Sequence, residues 1–174
     1  RFSEGIDVGR FGQDHPDAGV AKYVAFLREA AAHDHPLKSL ANGAFVQLDD
    51  WMARSPFPKL LDDGVSTITR EALSSVEQAG EPFFLFVNVM DAHGPLHHVG
   101  GYDRELHDAP LSWTSADVDW SAVLARGDDD QVDRYLGLYR ASVDYLDRKV
   151  TAFVETLRER TDRDTAIVVT SDHG

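Results

Sequence analysis

The longest periodic pattern of apolar residues lies between residues 129 and 160. Its apolar positions recur every three or four residues, at Val132, Tyr135, Leu136, Tyr139, Val143, Leu146, Val150, Phe153 and Leu157. This is the spacing of one face of an α-helix. Three aspartates, residues 128–130, stand where the positive end of the helix dipole favours acidic side chains. The pattern predicts a long helix with one buried stripe and an acidic cap.

Two shorter helices are predicted nearer the beginning of the chain. Residues 17–32 carry apolar side chains at helical spacing, with Asp17 as the N-cap. Residues 63–79 repeat the pattern, and Gly80 ends it. Between them, residues 33–62 mix Pro, Gly, Asn and Ser with short apolar clusters, which predicts irregular structure with at most short helices.

Two short apolar runs predict β-strands. The run FFLFVNV, residues 83–89, follows a proline and is apolar at nearly every position, as in a strand buried on both faces of a parallel sheet. The second run, residues 166–170, lies within DTAIVVTSDHG at 164–174. The order helix, strand, loop, helix, strand predicts an α/β fold with a mostly parallel sheet.

Charge and composition narrow the possible partners. The 174 residues include 22 Asp but only 4 Lys, and the net charge is −13. We interpret this bias as the hydrated surface of a halophilic protein, with an ordinary acidic protein as the alternative. A phosphate backbone requires a basic patch, so nucleic acid is not expected as a partner. No apolar run approaches the roughly 18 residues of a membrane span. The absence of cysteine excludes disulfides, Cys-ligated zinc and a thiol nucleophile within these residues.

Acid and imidazole side chains follow both predicted strands. Asp91 and His93 come after the first strand, and Asp172 and His173 after the second. Ligands of open α/β sheets bind beyond the carboxyl ends of the strands. A carboxylate and an imidazole are also common ligands of divalent cations. We therefore expect a site there, with an Asp172 helix cap beside a passive His173 as the alternative.

The loop after the first strand is rich in histidine. It contains His93, His97, His98 and His107. An imidazole can transfer protons or bind an anion near neutral pH, which is one interpretation of His93. Two alternatives stay open, namely a self-contained metal site built on His93 and His97, and a solvated loop without a specific role.

Two stretches of the chain resemble sulfatases. PFFLFVNVMDAHGP is similar to their central strand and loop, in which P-F-F-L precedes D-x-H-x-P. The segment from YLGLYRASVDYLDRKV to IVVTSDHG resembles the helix and the strand ending in S-D-H-G or S-D-N-G. The resemblance covers residues 81–174, whereas residues 1–80 look like the variable stretch before them. It implies a single partial catalytic domain over residues 1–174.

The resemblance implies a fold, a reaction and roles for three residues. The fold is an alkaline-phosphatase-like three-layer α/β/α arrangement, and the reaction is hydrolysis of a small-molecule or carbohydrate sulfate ester. Asp172 and His173 match a pair of metal ligands, and His93 matches a histidine that contacts the sulfate or assists the leaving alcohol. Calcium is the preferred metal, with magnesium, manganese and zinc as alternatives.

Other parts of the sulfatase pattern are missing. The family carries an N-terminal pair of metal-binding aspartates and a C-x-P-S-R or S-x-P-S-R motif whose first residue becomes formylglycine, the nucleophile. RSPF at residues 54–57 does not match that motif. We therefore expect an internal segment of a metal-dependent sulfatase, inactive alone, with formylglycine in the missing N-terminal part. The alternatives are a phosphodiesterase or phosphonate hydrolase of the same superfamily, and a non-catalytic module that binds metal through its His-rich loop.

Overall fold

The computed structural model of the chain describes residues 4, 6, 11, 20–55, 59, 62, 64–79, 82–161 and 164–173. Its α-helices are α1 (Val20–Ala32), α2 (Pro36–Ala53), α3 (Val65–Gln78), α4 (Trp120–Arg126) and α5 (Asp129–Arg160). A short 3-10 helix spans Ser115–Asp117.

Helix α5 confirms the longest predicted element. It begins at Asp129, and the Asp128 carboxylate caps it by accepting a hydrogen bond from the Gln131 N–H at 3.4 Å. Arg158 and Arg160 stand in its last turn, where the helix dipole favours positive charge. The acidic start and the basic end thus both stabilise the helix.

Helix α3 confirms the second of the two shorter helices predicted from the sequence, and it packs against α5. Val65 and Val76 of α3 are buried, and the ion pair between Glu77 and Arg160, 2.7 Å, joins the ends of the two helices. Leu138 and Ala141 of α5 lie in the same buried cluster as Val65. These two helices frame the main core.

The irregular structure predicted for residues 33–62 is wrong over α2. Pro36 stands in the first helical turn, where the N–H it lacks has no intrahelical partner. Gly43 lies against the ring of Phe26 in α1, so close that a Cβ atom would be 2.5 Å from Cε1. Pro36 therefore starts α2, and Gly43 allows α1 and α2 to pack closely. The predicted N-cap Asp17 lies outside the described residues.

The predicted α/β/α fold with a parallel sheet is wrong for the part of the chain that the structure describes. That part is helical and contains no β-strand. Residues 83–89 and 166–170 have no regular secondary structure, and Phe84 and Val168 are 90% and 86% exposed. A strand requires a neighbouring strand to accept and donate its backbone hydrogen bonds. An apolar composition does not supply that neighbour.

Residues 90–119 pack against α5 although most of them lack regular secondary structure. Leu96, Val99, Tyr102 and Ala109 of this segment are buried in the cluster that includes Tyr145 of α5. Two isolated bridges pair the segment's backbone, one between Lys59 and Val99 and one between His97 and Thr114. The core of the described residues thus lies between helices and a buried loop.

Of the helices that the structure describes, none combines the length and the apolar character needed to cross a membrane.

Candidate functional site

His93 lies on a turn that is held on both sides. Its backbone N–H donates to the Met90 carbonyl at 2.9 Å, which closes the turn. On one side, Asp91 is 2% exposed, and its Oδ2 accepts the N–H of Val65, the first residue of α3, at 3.1 Å. On the other side, the Leu96 N–H donates to Ser115 Oγ at 2.7 Å. Buried neighbours therefore fix the backbone around an exposed histidine.

The imidazole of His93 is exposed, as a group that acts on a dissolved substrate must be. Its Nδ1 lies 2.6 Å from the carbonyl oxygen of Gly94. A carbonyl oxygen only accepts hydrogen bonds, so Nδ1 carries the proton in this contact. Nε2 is then left to accept a proton or, in the imidazolium form, to donate one.

His98 and His107 form a buried pair in the same loop. The Nδ1 of His98 lies 3.2 Å from the Nε2 of His107, and the ring centroids are 5.0 Å apart. Burial, followed by the neighbouring charges of His107, Arg104 and His97, lowers the pKa of His98 to about 4. Burial and Arg104 also lower the pKa of His107. Both rings are therefore neutral at pH 7 and share one hydrogen bond.

Asp172 and His173 are exposed neighbours. The His173 N–H donates to Asp172 Oδ1 at 3.0 Å, and the His173 Nε2 lies 3.8 Å from the same oxygen. The carboxylate and the imidazole thus face each other, and both are accessible from solvent. The strand predicted to deliver them is not present in the described residues.

The described residues do not form a complete metal site. Across the described ranges, no three or more His, Asp or Glu side chains are grouped so that they could bind one. Asp172 and His173 therefore supply two potential donors and do not complete a site. The His-rich loop does not supply a complete site either, because His93 is exposed whereas His97 is buried and His98 is paired with His107.

Sequence reasoning missed the anchors of the turn. Asp91 was expected at the site beyond the first predicted strand and within the D-x-H-x-P pattern, but without a specific role, and Ser115 was not a candidate residue. No pattern in the sequence connects either residue to its partner, because Val65 and Asp91 are 26 positions apart and Leu96 and Ser115 are 19 apart. The available signals for Asp91 were its place after an apolar run and its spacing within D-x-H.

Comparison with known proteins identifies the family. The protein-family model described as Sulfatase matches residues 22–174, a range that includes His93, Asp172 and His173. The match starts well before residue 81, where the resemblance noted in the sequence began. Neither the curated proteins nor the solved structures gave a significant match. Sulfatases generally act on sulfate esters with a divalent metal ion and a formylglycine. Because the match covers most of its length, the chain belongs to the sulfatase family.

Proposed function

We propose that these 174 residues carry part of the active centre of a metal-dependent hydrolase of sulfate esters. The observation that supports this most is the family match over residues 22–174. Within that range, His93 combines an exposed imidazole with a backbone held by buried partners. A catalytic group benefits from both properties, since it must reach the substrate and must keep its position.

His93 acts on the sulfate ester through Nε2. In the imidazolium form, Nε2–H donates a hydrogen bond to a sulfate oxygen, or gives its proton to the ester oxygen as a nucleophile from outside these residues bonds to sulfur and the ester S–O bond breaks. The alcohol then leaves neutral instead of as an alkoxide. The Nδ1–H contact with the Gly94 carbonyl keeps the ring in one orientation during this step.

Asp172 and His173 are proposed as two ligands of a divalent cation, with calcium as the preferred ion. Further ligands are required, because two donors do not complete a site. When bound, such an ion would offset the negative charge of the sulfate group.

The nucleophile lies outside these residues in this proposal. Formylglycine forms from a cysteine or serine, and the chain has neither a cysteine nor an S-x-P-S-R motif. The 174 residues alone should therefore not hydrolyse 4-nitrophenyl sulfate, whereas the enzyme that contains them should.

The experiment compares His93→Ala with His35→Ala in the enzyme that contains this chain. His35 is an exposed histidine beside α2, and its side chain makes no capping hydrogen bond. Loss of a general acid costs about 10²- to 10⁴-fold in turnover. We expect that loss for His93→Ala and near-normal turnover for His35→Ala. The substrate is an alkyl sulfate ester, because an alkoxide needs the proton in order to leave, whereas 4-nitrophenolate leaves readily without it. Near-normal hydrolysis of that ester by His93→Ala would refute the role of His93.

Two further measurements separate the alternatives. A higher kcat/KM for bis(4-nitrophenyl) phosphate than for 4-nitrophenyl sulfate would favour a phosphodiesterase. Calorimetry of the 174-residue chain with Ca²⁺, Mn²⁺ and Zn²⁺ tests the metal-binding module. Micromolar binding that is lost with His93→Ala and His97→Ala but kept with Asp172→Ala would favour that module over the sulfatase.

A further inference from the structure

Asp91 places a carboxylate in the interior at the end of a helix. The residue is 2% exposed, so its side chain has exchanged water for protein partners. One partner is the Val65 N–H, 3.1 Å from Oδ2. Val65 is the first residue of α3, where backbone N–H groups have no intrahelical acceptor and carry the positive end of the helix dipole. The carboxylate and the helix end therefore satisfy each other.

Asp91 is also part of the turn that presents His93. The turn closes through the hydrogen bond from the His93 N–H to the Met90 carbonyl, so Asp91 is its second residue. The main-chain oxygen of Asp91 accepts a long hydrogen bond, 3.5 Å, from the Tyr102 hydroxyl. Residue 91 is thus held through its side chain by α3 and through its main chain by the buried loop.

We infer that Asp91 is a positioning residue for His93, fastening the turn to the first residue of α3 so that the imidazole stays in one place. The carboxylate lies two residues from the histidine, and the intervening backbone is fixed by the turn. The consequence for catalysis rests on the proposed function of His93, but the geometric part of the inference does not.

Asp62 provides a matched control, because it caps the same helix without belonging to the turn. Its carboxylate accepts the N–H groups of Gly64 and Ser66, both at 3.2 Å, and the Tyr145 hydroxyl at 2.9 Å. If Asp91 acted only as a helix cap, Asp62→Ala and Asp91→Ala would have the same effect. They should differ if Asp91 positions His93.

The first experiment measures the imidazole signal of His93 by NMR of the 174-residue chain with ¹³C-labelled histidine. We expect Asp91→Ala to shift or broaden that signal, because the turn loses its anchor. Asp91→Asn should restore it, since the amide oxygen still accepts from the Val65 N–H. Asp62→Ala should leave the signal in place. An unchanged His93 signal in folded Asp91→Ala would overturn the inference.

Asp91→Glu keeps the experiment decisive if Asp91→Ala does not fold. Glutamate retains the acceptor for Val65 but adds a methylene between the turn and the helix. We expect a displaced His93 signal in a chain whose His33 and His35 signals are unchanged. A His93 signal at the wild-type position in this variant would also overturn the inference.

The second experiment uses turnover of an alkyl sulfate ester, whose leaving group needs the proton from His93, by the enzyme that contains the chain. A misplacement of about 1 Å can cost about 100-fold in rate. We expect Asp91→Ala to lower kcat 10- to 100-fold with little change in KM, and Asp91→Asn and Asp62→Ala to keep kcat near wild type. A displaced His93 signal with unchanged kcat would support the positioning and refute the catalytic role of His93. A failure of the positioning role of Asp91 can therefore be distinguished from a failure of the catalytic role of His93.

Discussion

Burial differs between two kinds of segment in a way that their sequences do not suggest. One is residues 90–119, and the other is the pair of apolar runs at 83–89 and 166–170. The first segment is rich in His, Gly and Asp, yet Leu96 and Val99 in it are buried against α5. The apolar runs lack regular structure, and Phe84 and Val168 point into solvent.

This difference shows that a segment is buried where its backbone groups find hydrogen-bond partners, whatever its apolar content. Backbone groups of the irregular segment are paired individually, as when the Ser115 N–H donates to the Leu96 carbonyl at 2.8 Å and the Gly100 N–H to the Lys59 carbonyl at 2.8 Å. Such pairing removes the free-energy cost of burying irregular backbone. The apolar runs have suitable side chains but no sheet within the described residues.

The largest expected effect concerns the core beneath the irregular segment. Leu138 of α5 is fully buried, and Leu138→Ala should lower the free energy of unfolding by about 3 kcal/mol, through lost burial and the cavity left behind. Leu124→Ala, at a position 78% exposed in α4, is the control and should cost under about 1 kcal/mol. Urea denaturation measures both, and equal losses would contradict the assigned core.

The next largest effect concerns the ion pair between Lys59 and Asp49, which lies beside the irregular segment at residues 90–119. Lys59 is 1% exposed, its Nζ lies 2.8 Å from Asp49 Oδ1, and its backbone pairs with His98 and Gly100. Asp49→Ala leaves a buried ammonium group with one carboxylate fewer, and should cost about 2 kcal/mol of unfolding free energy. Asp49→Leu combined with Lys59→Met should recover most of the loss. A double variant as unstable as Asp49→Ala would argue against a charge effect.

A pH effect is expected from the buried imidazoles of His98 and His107. The folded pKa of His98 is about 4 and that of His107 is also lowered, whereas an unfolded histidine has a pKa near 6.5. The unfolded chain therefore binds more protons below pH 6.5. Stability should be full above that pH and should fall below it, down to about pH 4 for His98, by up to tenfold in the unfolding constant per pH unit for each histidine that gains a proton on unfolding.

The matched variants for this effect are His98→Asn and His107→Gln, which keep hydrogen-bonding groups near the original nitrogens but do not titrate. Both should reduce the acid-side slope in urea denaturation at pH 7, 6 and 5. Leu124→Ala, at an exposed position without a titrating group, should not change it. An unchanged slope in the double variant His98→Asn/His107→Gln would show that this pair is not the source.

The smallest effect concerns the exposed apolar runs at residues 83–89 and 166–170. Phe84 is 90% exposed, so Phe84→Ala should change the unfolding free energy by less than about 0.5 kcal/mol. Val168→Ala should behave in the same way. A loss near 3 kcal/mol at Phe84 would mean that the run is buried in solution and would break the comparison.

Prediction from the sequence worked where one local pattern determines the structure. The stripe from Val132 to Leu157 and the cap at Asp128 lie within one element, so periodicity and dipole suffice to define α5. Helix α2 was missed because Pro36 and Gly43 are helix breakers in isolation, and only the position of Phe26 explains Gly43. The two strand predictions are wrong because an apolar run does not specify the neighbouring strand with which its backbone would have to form hydrogen bonds. His93, Asp172 and His173 were chosen from motifs, and their roles stay proposals.

The tight fit at Gly137 constrains how the sequence can diverge. A Cβ atom there would lie 2.9 Å from the Cβ of His107 and 3.2 Å from the Leu106 carbonyl oxygen, which belongs to backbone and cannot rotate away. A substitution of Gly137 by any larger residue therefore requires residues 106 and 107 to move, either through an earlier substitution or at the same time. The helix and the loop therefore cannot drift independently in evolution, and the order in which substitutions accumulate is itself restricted.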